Sequence, residues 1–216
     1  MYVTIVPEGQ LEQDALRQLI AYSCPKIAIF DSLLERKIPN RETKASGRDS
    51  LQKNIHRYRN AAAKAGQAYV ILFDLEHDYP CAPALLTKWE LAGVMPDNFI
   101  VNIAVRSTEA WLMADREGIA QFLSVSPDNI PLKPDEIDHP KQKLMSLGQM
   151  SRLSKTRRAF ASVTGKSAGS GYNSYMRDYI QNRWRIDIAA NASPSLSRAL
   201  ERLRHIERLF QTERAT

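Results

Sequence analysis

The sequence predicts an α/β fold, in which a doubly wound, mainly parallel sheet of about four strands precedes a C-terminal helical extension. In the first half of the chain, short apolar segments rich in Val and Ile alternate with helical patterns. Apolar segments of this kind are typical of strands that are covered on both faces, and helices usually connect parallel strands. In the second half, the apolar positions recur with helical spacing only.

Each predicted strand is a nearly continuous apolar run, as expected for a strand buried by helices on both sides. The four strands span residues 2–6, 26–30, 68–73 and 99–105. Helical patterns fill the gaps between them, at residues 11–22, 49–65 and 82–91. This alternation predicts parallel strands joined by helices.

After the fourth strand the pattern becomes helical. A helix is predicted over residues 107–123, and the following segment "VSPDNIPLKPDEIDHP" contains four prolines, which indicates a linker or lid. Further helices are predicted at residues 141–150, 152–163, 174–184 and 195–210. We therefore expect an α/β domain over residues 1–124 and a helical extension, packed on it, over residues 125–216.

The composition excludes disordered and fibrous proteins, because 44% of the 216 residues are apolar. No apolar run approaches the ~20 residues of a membrane helix, and "MYVTIVPEGQ" does not resemble a signal peptide. The two cysteines form no CxxC pattern, so we expect a cytoplasmic protein. The net charge of +6 favours a polyanionic partner such as nucleic acid.

Three carboxylates follow the third predicted strand, in the stretch "AYVILFDLEHDYP". Asp74, Glu76 and Asp78 occupy alternate positions, so they would point the same way if the extended backbone continued. The carboxyl ends of parallel strands are where ligands bind, and carboxylate oxygens suit Mg²⁺ or Mn²⁺. The alternative is a solvated acidic turn.

The first predicted strand is also followed by acidic residues. In "VTIVPEGQLEQDAL", Glu8 precedes Gly9, and Glu12 lies in the first turn of the next helix, where the helix dipole alone would favour it. Acids at two strand ends predict a metal centre. Its expected ligands are Glu8, Asp74 and Asp78, with Glu12 and Glu76 completing the set.

These motifs resemble the Toprim domain of topoisomerases, primases and overcoming-lysogenization-defect nucleases. The pattern is Glu8-Gly9 with Glu12, then an acidic triplet that begins at Asp74. The later "VRSTEAWLMAD" and "PDEIDHPKQKL" resemble the bacterial Toprim-like family called domain of unknown function 4276. The resemblance implies a four-stranded Toprim-like sheet and Mg²⁺- or Mn²⁺-dependent phosphodiester cleavage. It also implies a role in phage defence beside an ATPase partner.

The sequence departs from the Toprim pattern at one position. Toprim proteins usually carry Asp-x-Asp after the third strand, whereas this chain has Glu76 at the second acid. The longer side chain moves the carboxylate by about one bond length, which octahedral Mg²⁺ tolerates poorly. Asp78 is the candidate to replace it as a ligand.

Two cations are candidates for contacting a substrate phosphate. Lys44 lies in "RETKASGRDS" before the second helix, and Arg106 follows the fourth strand. Glu109, one turn into the next helix, would orient Arg106 or a metal-bound water, or would merely favour the helix start. The predicted catalytic residues are Glu8, Asp74, Lys44, Arg106 and Glu109.

The partner predicted by these features is nucleic acid, either DNA or RNA. The segment "SRLSKTRR", residues 151–158, is a candidate phosphate-binding patch, although a solvated helix face has the same composition. One alternative is a non-catalytic module that binds nucleic acid or an ATPase and holds a structural metal. Another is a different nuclease that uses Asp31 with "ERK" at 35–37.

Overall fold

The computed structural model describes residues 2–32, 47–65, 68–77, 79–161 and 171–212. It confirms the predicted fold class, with a four-stranded, all-parallel sheet, helices around it and a C-terminal helical region. No helix within the described ranges is long and apolar enough to cross a membrane.

All four predicted strands are present. They are β1 (Tyr2–Pro7), β2 (Ala28–Ser32), β3 (Ala68–Asp74) and β4 (Phe99–Ala104). The helices of the first half are α1 (Gln10–Ser23), α2 (Arg48–Ala65) and α3 (Ala82–Lys88). Strands therefore formed where apolar runs predicted them, because burial on both faces of the sheet demands such runs.

The second half of the chain is helical. Its helices are α4 (Thr108–Ala114), α5 (Arg116–Leu123), α6 (Pro140–Gln149), α7 (Ser154–Phe160), α8 (Tyr172–Asn182), α9 (Ile186–Ala192) and α10 (Pro194–Thr212). The proline-rich segment before α6 forms two 3-10 turns, Pro127–Asn129 and Pro134–Glu136.

The strand order in the sheet is β2-β1-β3-β4. The chain first adds β2 on one side of β1 and then returns to add β3 on the other side. In β1 and β3, Val3 lies beside Ala68 and Pro7 lies beside Leu72, in parallel register. The connections thus reverse direction between β1 and β3, which is the position where open α/β sheets bind ligands.

The core of the sheet layer is apolar. Helix α1 contacts β1 and β3, and α2 contacts β3. The largest fully buried aliphatic and aromatic side chains of this layer are Ile5, Leu16, Leu19, Ile55, Ile71, Leu72 and Phe73. These buried residues pack the helices against the strands.

The chain divides into two compact units. The first comprises Met1–Ile103 and Arg198–Thr216, and the second comprises Ala104–Ser197. The first unit contains most of the sheet. The second unit contains α4 to α9 and both 3-10 turns.

The prediction of one continuous helix over residues 107–123 is wrong. Helix α4 ends at Ala114, and α5 begins at Arg116. Between them, Asp115 leaves the helical conformation, and its carboxylate accepts a hydrogen bond from Gly118 N at 3.1 Å. An Asp that caps a new helix satisfies an N–H group that would otherwise have no partner. The apolar periodicity continues through the break and therefore conceals it.

Candidate metal centre at the carboxyl edge of the sheet

The ends of β1 and β3 bring two predicted ligands together. Glu8 N donates to Leu72 O at 3.0 Å, which extends the strand pairing by one residue. The Glu8 carboxylate then turns toward β3, where its Oε2 accepts a hydrogen bond from Asp74 N at 3.2 Å. The structure therefore places Glu8 and Asp74 side by side, on either side of the point where the sheet connections reverse.

Among the residues that the structure describes, Arg48 is a cation that contacts this edge, and sequence reasoning missed it. Its Nη1 donates to Asp74 O at 2.8 Å, and its Nη2 donates to Leu75 O at 3.3 Å. The guanidinium also lies 5.6 Å from the ring centre of Trp89 and 5.8 Å from that of Tyr79. A fork of fixed donors that is flanked by aromatic rings holds the end of β3 in place.

A signal for Arg48 is present in the sequence. It is the first residue of α2, where the helix dipole disfavours a positive charge. The preceding Gly47 has a φ of +96°, and its N–H donates to Glu8 O at 2.8 Å. A basic residue at a helix start, directly after a glycine, therefore indicates a tertiary role for that side chain.

Glu12 is buried at the start of α1, with 8% of its surface exposed. Its carboxylate lies against Gly9: a Cβ placed on that glycine would be 2.7 Å from Glu12 Oε2. Glu12 is the third residue of the helix, where a carboxylate can reach back toward the helix start. The position fits both a ligand and a helix-stabilising acid, and a side chain at residue 9 would require the Glu12 carboxylate to shift.

Glu76 does not continue the alternation that the sequence suggested. The strand ends at Asp74, and Glu76 has a φ of +52°, in the left-handed region. The assumption of an extended backbone through this turn is therefore wrong. Instead, Arg48 Nη1 lies 3.9 Å from Glu76 Oε2, so the cation is near Glu76 as well as the end of β3.

Asp78 and Lys44 fall outside the described residues, as does the Glu-Arg-Lys segment of the alternative nuclease. Arg106 and Glu109 belong to the second unit.

Glu109 is a buried residue within the second unit. Its Oε2 accepts a hydrogen bond from Ser107 Oγ at 2.8 Å, and its Oε1 accepts one from Tyr172 Oη at 3.0 Å. Only 3% of its surface is exposed. These contacts join the start of α4 to the start of α8, so Glu109 has a clear packing role beside the predicted one.

The second unit contains a further buried acid, Asp115, which the sequence analysis did not identify. Its carboxylate accepts hydrogen bonds from Arg185 Nη2 at 2.6 Å and from Tyr179 Oη at 3.1 Å. Burial, followed by the charge of Asp115, raises the pKa of the Tyr179 hydroxyl above its ordinary value. The hydroxyl therefore stays protonated and remains a donor, which stabilises the link between α5, α8 and α9.

The donor chemistry at the sheet edge fits a hard cation. Glu8, Glu12, Asp74 and Glu76 offer carboxylate oxygens, and one hydrogen bond leaves a carboxylate further lone pairs for an ion. Among the described residues, no group of three His, Cys, Asp or Glu side chains is close enough to hold a metal ion.

Comparison of the chain with protein-family models, with curated proteins and with solved structures gives no match.

Proposed function

We propose that this protein is a Toprim-like nuclease that cleaves phosphodiester bonds with Mg²⁺ or Mn²⁺. One observation carries the proposal: Glu8 and Asp74 meet at the carboxyl ends of β1 and β3, where the sheet connections reverse. The resemblance of the acidic motifs to Toprim proteins supports the same reaction. In this proposal the chain belongs to the Toprim-like family of unknown function named above.

The proposed ligands are Glu8 and Asp74, with Glu12, Glu76 and Asp78 completing the set. A bound Mg²⁺ or Mn²⁺ would supply an activated water and charge neutralisation at phosphorus. The protein contributes orientation, because the Asp74 N–H fixes one Glu8 oxygen and Arg48 fixes two carbonyls at the end of β3. The Glu8 carboxylate, held in this way, loses little side-chain freedom on binding an ion.

Arg106 and Lys44 are the proposed phosphate contacts. Arg106 follows the end of β4, the strand next to β3 in the sheet. A guanidinium can bind two phosphate oxygens at once and stays charged throughout. The proposed partners are DNA or RNA as substrate and an ATPase as activator in phage defence. The cytoplasm is the proposed location, because Cys24 and Cys81 are both free thiols.

A second candidate function is a non-catalytic module that binds nucleic acid or an ATPase. The observation that favours it is that protein groups already engage the acids: Asp74 N donates to Glu8, and Arg48 approaches Glu76. In that case the acids would hold only a structural ion, or none.

Cleavage assays separate these two candidates. Purified protein, with Mn²⁺ and with a candidate ATPase, is incubated with labelled DNA and RNA. We expect Glu8→Gln and Asp74→Asn to abolish cleavage while affinity in EDTA stays equal or rises, because a negative charge facing the phosphates is lost. The exposed Asp97→Asn is the matched control and should leave both unchanged. Absence of cleavage by the wild type under all these conditions would favour the binding module.

A further inference from the structure

The charges of the second unit are strongly segregated along the chain. Residues 139–177 contain eight Lys or Arg and no Asp or Glu. The rest of that unit, 104–138 and 178–197, contains five Lys or Arg and nine Asp or Glu. The basic residues of the acid-free segment are Lys141, Lys143, Arg152, Lys155, Arg157, Arg158, Lys166 and Arg177.

Within this segment, α7 and the turn before it present the densest group of cations. Arg152, Lys155, Arg157 and Arg158 are all exposed, and we call these four residues the α7 basic cluster. Four positive charges within seven residues repel one another, and no acid in the surrounding segment offsets them locally. Such a cluster is stabilised when a polyanion binds.

Helix α7, which carries most of the α7 basic cluster, is firmly packed. Thr156 and Phe160, four residues apart, are fully buried. Thr156 Oγ1 lies 2.7 Å from Tyr175 Oη, and the Phe160 ring makes edge contacts with Tyr172 and Tyr175. Because α7 is anchored through this buried face, its backbone is already ordered, so that mainly the Lys and Arg side chains lose freedom when they bind.

The spacing and side-chain types indicate the ligand. Lys155 and Arg158 are three residues apart within α7 and therefore share a side of it, and Arg152 lies in the turn just before the helix. Arg157 is partly engaged, because its Nη1 donates to Ser151 O at 2.6 Å. Three of the four cations are arginines, whose planar donors match phosphate oxygens.

We infer that the α7 basic cluster is a binding surface for the phosphodiester backbone of a nucleic acid. The inference goes beyond the proposed cleavage reaction and does not depend on it. Binding should be independent of sequence, since phosphate contacts carry no base information. Added salt should lower the binding affinity, because each neutralised phosphate releases counterions.

The test measures binding without cleavage. Fluorescence anisotropy in EDTA reports the affinity for a labelled DNA duplex and for a labelled single-stranded RNA over a range of NaCl concentrations. We expect Lys155→Gln with Arg158→Gln to reduce the slope of log affinity against log salt for the duplex by about 1.8. Affinity near 0.1 M salt should fall roughly 60-fold, which is a slope change of about 1.8 applied over one tenfold step in salt from 1 M.

The control variant is Lys53→Gln with Arg57→Gln. It removes the same charge from exposed positions of α2 in the first unit, so it should leave the slope unchanged. Arg152→Gln with Arg158→Gln is a second test pair, which retains the Arg157 contact with Ser151. Thermal melting of each variant confirms that it is folded.

Three outcomes would overturn the inference. The first is absence of binding to both probes. The second is an equal loss of affinity in the test and control variants. The third is displacement of the labelled nucleic acid by polyglutamate as effectively, per charge, as by unlabelled DNA. Binding that depends on the α7 basic cluster, without cleavage in Mn²⁺ and the candidate ATPase, would instead count against only the proposed reaction. The DNA and RNA arms identify which nucleic acid the surface prefers.

Discussion

Glu8 Oε2 accepts a hydrogen bond from the backbone N–H of Asp74 at 3.2 Å, so a side chain from the end of β1 caps the end of β3. The two predicted ligands are thereby linked through one atom of each residue. The link uses the backbone of Asp74 and leaves its carboxylate to other partners. Substitutions of the Asp74 side chain can therefore test ligand function while the Glu8 contact is kept.

The first prediction concerns metal binding. Millimolar MnCl₂ or MgCl₂ should raise the melting temperature of the wild type, because an ion that binds only the folded state stabilises it by mass action. Asp74→Asn should remove this rise, and the exposed Asp97→Asn should keep it. Differential scanning fluorimetry measures the shift. A wild-type melting curve unaffected by either ion would count against the metal centre.

The second prediction concerns Arg48. Arg48→Ala should lower the free energy of unfolding by about 1.5–3 kcal/mol, since the carbonyls of Asp74 and Leu75 lose a charged donor. Arg57→Ala, on the exposed side of the same helix, should cost less than about 0.5 kcal/mol. Urea denaturation followed by circular dichroism gives both values, and similar losses would contradict a special role for Arg48.

The third prediction concerns the backbone of Glu76. At a φ of +52°, a residue with a Cβ is strained by roughly 1–2 kcal/mol, whereas glycine is not. Glu76→Val should therefore be at least about 1 kcal/mol less stable than Glu76→Gly. Both variants remove the carboxylate, so the exposed interaction with Arg48 cancels in the comparison. Equal stability in thermal melts would argue against the left-handed turn.

The fourth prediction compares two aspartates that pair with arginine. The Asp115 side chain is fully buried, and Arg185 lies 2.6 Å away; the Asp128 side chain is 91% exposed, and Arg116 lies 3.1 Å away. Asp115→Asn should cost roughly 3 kcal/mol or more, because a buried network loses its acceptor charge. Asp128→Asn should cost less than about 1 kcal/mol. Comparable losses in urea denaturation would show that burial is not decisive here.

The fifth prediction concerns pH. Burial, followed by the charge of Glu207, raises the pKa of the Cys24 thiol from 9.0 to about 11, and its Sγ donates to Leu203 O. The folded pKa exceeds the unfolded one, so this contribution is complete below pH 9.0 and is lost as pH rises toward about 11. Cys24→Ala should therefore show a smaller alkaline loss of stability than the wild type. Urea midpoints measured across this range give the comparison, and parallel curves would contradict it.

Much of the sheet could be predicted from the sequence, because a strand buried on both faces must be apolar throughout. The positions of Glu8 and Asp74 followed from the same reasoning, since each comes at or just after the end of an apolar run. The role of Arg48 was missed because an arginine on a helix is usually a solvated residue, although its place at the start of α2, directly after Gly47, was a signal in the sequence.

Other features depend on the backbone conformation or the packing of a few residues, which the spacing of apolar residues in the sequence does not reveal. The left-handed conformation of Glu76 redirects the acidic turn, although nothing in "DLEHD" distinguishes it from an extended segment. At the break, the Asp115 carboxylate caps α5 locally and also binds Arg185, seventy residues later in the chain. Helix α9 was not predicted either, because seven residues give too few turns for a clear apolar stripe.

The contrast between the two cysteines provides a route for site-specific labelling. Cys24 is buried and Cys81 is exposed, so a thiol reagent applied to the folded protein should modify residue 81 alone. Cys81 immediately precedes α3 and lies seven positions after Asp74 in the chain. A nitroxide attached there would report on a nearby paramagnetic Mn²⁺ through relaxation enhancement, without any engineered cysteine.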